Sequence, residues 1–253
     1  MRSELDTTLD DVVARLTAAG GPLETVAFER FGRSLPMLKN APPTLPVLFE
    51  MFCAQHGEAE FLVDGEIRLT FAQTYAAARR VAGGLVAGHK VQKGDRIGIA
   101  ARNSTNWIIA YMAVLMAGGC AALLNGWWSG EEMGAGIKLT GCTMVLADKQ
   151  RADRIAELDL ETRLVLFEHD CSWEQGLSGL LAGGGGAETL LPALSGDDLA
   201  TILYTSGSTG LSKGAWSDHR AVTQAVFSYV AQTLTILTRS EEHTSELQSQ
   251  QPI

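Results

Sequence analysis

The stretch Ala200–Ala215, ATILYTSGSTGLSKGA, decides how the rest of the chain is read. Its first five residues, Ala200–Tyr204, are nearly all apolar and read as a buried strand. The segment that follows holds Gly207, Gly210 and Gly214, five small hydroxyl residues and Lys213. Glycines without side chains let successive backbone N–H groups face one anion. Thr205, Ser206, Ser208 and Thr209 add hydroxyl donors around the same volume, and Lys213 brings a compact positive charge. Together they describe a cradle for a polyphosphate. The Walker pattern G-x-x-x-x-G-K-[ST], counted from Gly207, fails twice, because Ser212 stands where glycine is needed and Gly214 where a magnesium-binding hydroxyl is needed. A Gly/Ser linker is the plainer alternative, but Lys213 and the apolar strand are not linker composition.

Upstream, strands and helices alternate. Leu9–Ala19 reads as an acidic helix ended by Gly20-Gly21, and a Pro-rich connector, Ala41–Pro46, leads into a helix over Val47–Gln55. Phe61–Val63 and Glu66–Thr70 flank Asp64-Gly65, the signal of a hairpin. Thr70 with Gln73, and Ser129 with Glu132, are capping boxes that start helices. Strands are expected at Arg96–Ala100, Cys120–Leu124, Thr143–Ala147 and Arg163–Phe167. Helices are expected at Ser104–Met116 and Ala152–Leu158, and from Asp218 to Thr235. Gly183–Gly186 reads as a flexible crossing, and a short strand is expected near Ala215-Trp216. Apolar strands alternating with helices argue an α/β fold, a mostly parallel sheet covered by helices on both faces. Ligands of such sheets bind at the carboxyl ends of the strands, where the loop after Tyr204 begins.

Composition narrows the partners. The 253 residues carry a formal charge of -9, with 29 acidic and 20 basic side chains, and 46% are apolar. That apolar content suits a sizeable core, and an acidic chain without a basic stripe repels nucleic acid. Trp107–Leu124 has no charge and approaches the length of a membrane span, but Gly118-Gly119 divide it into a short helix and a short strand. No transmembrane segment is therefore expected. Cys53, Cys120, Cys142 and Cys171 form no C-x-x-C pair. The Cys53/His56 and His169/Cys171 neighbours lack a second pair to complete a zinc site, and reduced thiols in a cytoplasmic protein are expected.

The loop also carries a resemblance. Y-T-S-G-S-T-G-L-S-K-G looks like the phosphate-loop signature [ST]-S-G-[ST]-T-G-x-P-K-G of the adenylate-forming enzymes: acyl-CoA synthetases, adenylation domains and luciferases. Ser212 replaces the usual proline. Lys93–Asn125, KGDRIGIAARNSTNWIIAYMAVLMAGGCAALLN, resembles the early region of that family, and Leu69–Leu85, LTFAQTYAAARRVAGGL, resembles its opening helix. The resemblance covers most of Leu48–Tyr229. It implies the incomplete N-terminal domain of an adenylate-forming enzyme, an ATP-dependent carboxylate–CoA ligase of acyl-CoA synthetase type. ATP, Mg²⁺ and coenzyme A would be its cofactors, a fatty or other organic acid its substrate, and fatty acid metabolism its setting. Thr205, Ser206, Gly207, Ser208, Thr209 and Gly210 would wrap the phosphates, and Lys213 would stabilise the leaving pyrophosphate.

Three parts are expected: a helix and connector over 1–47, a partial AMP-binding domain over 48–238 by that resemblance, and a non-native tail over 239–253. Arg239–Ser249, RSEEHTSELQS, matches the in-frame translation of a common sequencing adapter, with a natural polar tail as the alternative reading. Coding sequence is expected to continue past Thr238. Nothing in the chain resembles the family's later Y-G-x-T-E motif, its T-G-D ribose aspartate or its C-terminal lysine. This chain alone is thus expected to be inactive, and a non-catalytic nucleotide-binding or interaction remnant is the alternative. Gly126-Trp127-Trp128 either line an acyl pocket or pad a strand end. His219 and Arg220 either reach phosphates or start a helix as solvated polar residues.

Overall fold

Five short runs with buried centres assemble the central sheet of the computed structural model, which describes residues 4–205 and 212–249. These are β5 (Arg96–Ala100), β6 (Cys120–Leu123), β7 (Met144–Ala147), β8 (Arg163–Leu166) and β9 (Leu199–Thr205). They pair in parallel, and β10 (Lys213–Asp218) adds an antiparallel edge, giving the order β10-β9-β6-β5-β7-β8. This is the expected α/β architecture. Helices between parallel strands supply the crossovers that parallel pairing requires. They are α4 (Thr105–Met116), α5 (Gly130–Thr140) and α6 (Lys149–Ala156), with the short α7 (Trp173–Gly176) and α8 (Ser178–Leu181) between β8 and β9.

Alternation along the strands sorts the core into two layers. Ala100, Cys120, Ala122, Leu124, Val145, Ala147 and Ile202 meet Met133 and Ile137 of α5 and Ala152 and Ile155 of α6. On the opposite face α4 packs on β5 and β6, and α3 (Phe71–Ala87) packs against α4 in turn. Nine of the twelve residues of α4 are buried, so its uncharged sequence reflects a core helix. Among the described residues no helix is long and apolar enough to cross a membrane.

The helix starts follow from local chemistry. Thr70 and Ser129 close reciprocal capping boxes with Gln73 and Glu132, while Ser104 accepts from Trp107 N at 3.1 Å. α2 (Leu45–Gln55) begins two residues before the expected Val47, because Thr44 caps it and Pro46 is tolerated in the first turn. α6 begins three residues before the expected Ala152, at the cap Asp148. The hairpin of β3 (Glu60–Asp64) and β4 (Ile67–Thr70) pairs Asp64 with Ile67. Its turn residues are therefore Gly65-Glu66 rather than Asp64-Gly65, and the positive φ is carried by Gly65 at 56°.

Pro43–Arg220, which holds the sheet, is one compact unit, and residues 1–42 with 221–253 form the other. In the second unit α1 runs Glu4–Thr17. A hairpin absent from the sequence reading joins β1 (Thr25–Arg30) to β2 (Arg33–Leu38) through Phe31-Gly32, both at positive φ. α9 runs from His219 to Ser249, past the expected end at Thr235 and through the whole segment resembling adapter sequence, Arg239–Ser249.

The glycine run after α8 is packed rather than a free linker. A Cβ at Gly183 would meet Gly88 Cα at 3.0 Å, and one at Gly185 would meet Ala87 Cβ at 2.7 Å. The facing helix α3 is correspondingly small there, and a Cβ at Gly84 would strike the Leu180 carbonyl and lie 3.1 Å from Leu181 Cα. Gly84→Ala would gain up to about 1 kcal/mol of helix propensity. Overpacking against rigid backbone costs about 1–3 kcal/mol, so the net expectation is loss of stability, read as a lower urea midpoint. An unchanged or raised midpoint would contradict this packing.

Candidate functional site

The chain leaves β6 and β9 in opposite directions. After β6 it turns through α5 towards β7, on one side, and after β9 it turns into β10, on the other. The two strands run parallel with Leu123 opposite Leu203. Their carboxyl ends therefore frame the crevice that a topological switch point creates. One wall is the segment Asn125–Trp128, and on the other side stands the end of β9 at Thr205 with Lys213 beside it.

That loop is closed at its base by the β9–β10 ladder. Lys213 is the direct cross-strand partner of Thr205, and Gly214 of Tyr204. Thr205 Oγ1 donates to the Lys213 carbonyl at 3.5 Å, and both residues are exposed. The structure thus brings together Thr205 and Lys213, the first and last residues of the expected phosphate cradle. Ser206, Gly207, Ser208, Thr209 and Gly210 lie outside the described residues.

Tyr204 fixes the strand just before the loop. Its ring meets Trp128 edge-on, 5.1 Å between centroids at 74°. Its hydroxyl lies 2.8 Å from Thr140 Oγ1 and donates to the Gly136 carbonyl at 3.0 Å, on α5. Burial pushes the phenol up to about 12, so it remains a neutral donor at physiological pH. There is no room to spare: a Cβ at Gly136 would lie 2.9 Å from the Trp128 ring, and one at Gly214 would lie 3.2 Å from Ile202 Cγ2. Trp128 therefore pads the strand end, whereas its neighbour Trp127 is 91% exposed.

The opposite wall is tied down by groups that sequence reading missed. Asn125 Oδ1 accepts from Trp127 N at 2.9 Å. Arg151 Nε donates to the Gly126 carbonyl at 3.0 Å, and Arg154 donates to that of Trp128 at 3.0 Å. Arg151 is itself held by Asp148 at 3.0 Å, and both side chains are buried. The same carboxylate accepts from the backbone of Arg102 and of Arg151. The signal was present in Asp148, an acceptor at the residue before a helix, but it pointed to a cap and not to the arginine three residues on.

His219 and Arg220 do start a helix, α9, but His219 is not solvated there. They follow β10 at the end remote from the loop, and His219 is 1% exposed. Its Nδ1 accepts from Leu45 N at 3.3 Å, and burial lowers its pKa despite Asp198 and Asp218. Arg220 pairs with Asp197 at 3.1 Å. Cys53, Cys120 and Cys142 are buried, and burial raises Cys120 to about 11.

A family model described as AMP-binding enzyme matches residues 49–245. The chain is 34% identical over 162 residues to 4-coumarate–CoA ligase-like 3 of Oryza sativa, covering 57% of this chain and 27% of that protein. It is 30% identical over 179 residues to phosphinothricin tripeptide synthetase PhsC of Streptomyces viridochromogenes, covering 71% of this chain and 16% of that one. Among solved structures, the N-terminal subdomain of Klebsiella oxytoca NpsA, in complex with 3-hydroxybenzoyl-AMSN, superposes with a TM-score of 0.60 at 18% identity. That match covers 72% of this chain and 42% of the other. The chain thus spans about a quarter of the rice ligase and less of the peptide synthetase.

Removing one partner of a buried ion pair leaves the other charge stranded, at about 3–5 kcal/mol. Asp148→Ala is expected to destabilise by that order in chemical denaturation. Lys149→Ala, which breaks only the exposed pair with Asp153, is expected to change stability by less than about 1 kcal/mol. Equal effects would show that the Asp148–Arg151 pair does not brace the crevice.

Proposed function

The chain belongs to the family of AMP-binding enzymes, and on that premise we propose that it forms the ATP-phosphate side of an acid–thiol ligase, an acyl-CoA synthetase. The observation that carries the reading is the pairing of Thr205 with Lys213 at the carboxyl end of the parallel sheet. It fixes both ends of a glycine- and hydroxyl-rich loop and keeps a lysine at the mouth. In this reaction a carboxylate oxygen attacks the α-phosphorus of ATP, an acyl-adenylate forms and pyrophosphate departs. A thiol sulfur then attacks the acyl carbon, and AMP leaves as the thioester forms.

Negative charge grows on the departing pyrophosphate, and donors fixed in advance stabilise it without reorganising. Lys213 serves there as a compact cation, and Thr205 with the N–H and hydroxyl groups of Ser206, Gly207, Ser208, Thr209 and Gly210 surrounds the β- and γ-phosphates. Mg²⁺ fits this donor set as an ion carried mainly on phosphate oxygens. Thr205 offers a hydroxyl, and no cluster of three or more His, Cys, Asp or Glu able to hold a metal occurs among the described residues. When bound, it would neutralise phosphate charge.

Coenzyme A as the acceptor is supported by the 34% identity to a CoA ligase-like protein. A carrier-bound thiol is the second reading, supported by the 30% identity to a tripeptide synthetase. Residues 1–253 contain no match to the family's later adenine, ribose and carboxylate-binding motifs, so the chain by itself is proposed to bind ATP phosphates without forming an adenylate. Equilibrium binding of ATP tests the site. Lys213→Ala is expected to weaken affinity about tenfold or more, as loss of a charge-assisted contact does, while Lys149→Ala leaves it unchanged. Equal affinity in the Lys213 variant would remove the site assignment. ATP–pyrophosphate exchange by the purified chain would remove the claim of inactivity.

A further inference from the structure

Lys213 sits on an edge strand of the sheet. β10 is an edge strand paired only with β9, and Lys213–Trp216 are all exposed. An edge strand with one ladder and an exposed face has little to fix its register. A slip of one residue would move Lys213 by about 3.4 Å and turn its side chain to the other face. Something at the far end must hold the strand.

The far end is built for that. The register shifts between Ser217 and Asp218, so that Ser217 faces Thr201 and Asp218 faces Leu199. This irregularity cannot slide. Immediately beyond it, Asp218 and His219 are each 1% exposed. His219 N donates to the Asp198 carbonyl at 3.0 Å, and Arg220 N donates to that of Gly196 at 2.9 Å. The imidazole ties this end to a separate element. Leu45 N is among the first N–H groups of α2, which lack partners inside their own helix, and it donates to His219 Nδ1. Thr44 serves Val47 N instead. Acceptance at Nδ1 needs a free lone pair, so the ring is the neutral Nε2–H tautomer.

We infer that His219 is a positioning residue for Lys213: by accepting the Leu45 N–H it bolts the end of β10 to α2 and fixes the register that sets the lysine at the loop mouth. The inference rests on Lys213 as the phosphate lysine, but its structural half can be read without ATP. Hydrogen exchange of the full chain is compared for the native protein, His219→Asn, whose amide oxygen can replace Nδ1 as acceptor, and His219→Leu, which keeps the volume and loses the acceptor. In the leucine variant, amides of Lys213–Ser217 are expected to exchange about tenfold faster, with β5 and β7 unchanged, as for local loss of a buried hydrogen bond. ATP affinity should fall by a similar factor, and the asparagine variant should recover both. Unchanged protection of β10, loosening spread over the whole sheet, or failure of asparagine to rescue would each overturn the inference. So would loosened β10 with native ATP affinity where Lys213→Ala still weakens binding. If Lys213→Ala also binds normally, the phosphate-site reading is what fails.

Discussion

The two ladders of β9 set the terms for everything at the candidate site. On one side β9 runs parallel to β6, and on the other it turns back at once into β10. A parallel neighbour would have required a crossover of a dozen residues or more. An antiparallel one needs only the seven residues 206–212. The loop therefore leads from strand to strand, and the next helix, α9, begins at the opposite end of the sheet. A Walker loop borrows positive potential from the helix that follows it. This loop has no helix N-terminus immediately after it, and the positive side chain at its base is Lys213, across the ladder from Thr205. The failure of the Walker pattern at Ser212 and Gly214 is the sequence trace of that different topology.

Buried polar groups cluster where strands end. Asp148 with Arg151 stands behind the segment after β6, Tyr204 with Thr140 stands behind the loop after β9, and His219 stands behind the end of β10. Asp148 and His219 satisfy backbone N–H groups that a strand or helix terminus would otherwise leave unpaired, and Tyr204 donates to a carbonyl of α5. Hydrophobic burial gives the sheet its layers but has no directional preference that could hold a loop. Hydrogen bonds and ion pairs contribute little net stability while they are intact and are costly to break, and that asymmetry makes them suited to fixing geometry.

Much of this was legible. β5 was read to the residue at Arg96–Ala100, and the boxes at Thr70 and Ser129 formed as spaced, because strand ends marked by Gly94-Asp95 and caps with a fixed i, i+3 partner are local codes. What escaped depends on distant residues. The hairpin of Thr25–Leu38 carries no turn signal beyond Gly32, since Phe31 takes a positive φ that its type seldom adopts. Gly183–Gly186 read as a linker because its partners, Gly83 and Gly88, lie about a hundred residues away. His219 read as solvated because its partner is Leu45. At the site itself, the sequence named Thr205 and Lys213 from their spacing, whereas the bracing by Asp148, Arg151 and Tyr204 required the fold to bring three elements together.

This division between loop and frame has a consequence for how such a site tolerates change. A stretch of glycine and small hydroxyl residues has little intrinsic conformational preference, and its backbone entropy opposes any single cradle shape. Fixing only its ends reduces that entropy without dictating the residues between. The ends here are fixed by the ladder at Thr205–Lys213, by Tyr204 on one strand and by the buried terminus of the other. Ser212 stands where the resemblance has proline, and the strand that begins one residue later restrains the chain beside it. The residues that a phosphate would touch can then answer to the ligand, while those that hold the cradle answer to the fold.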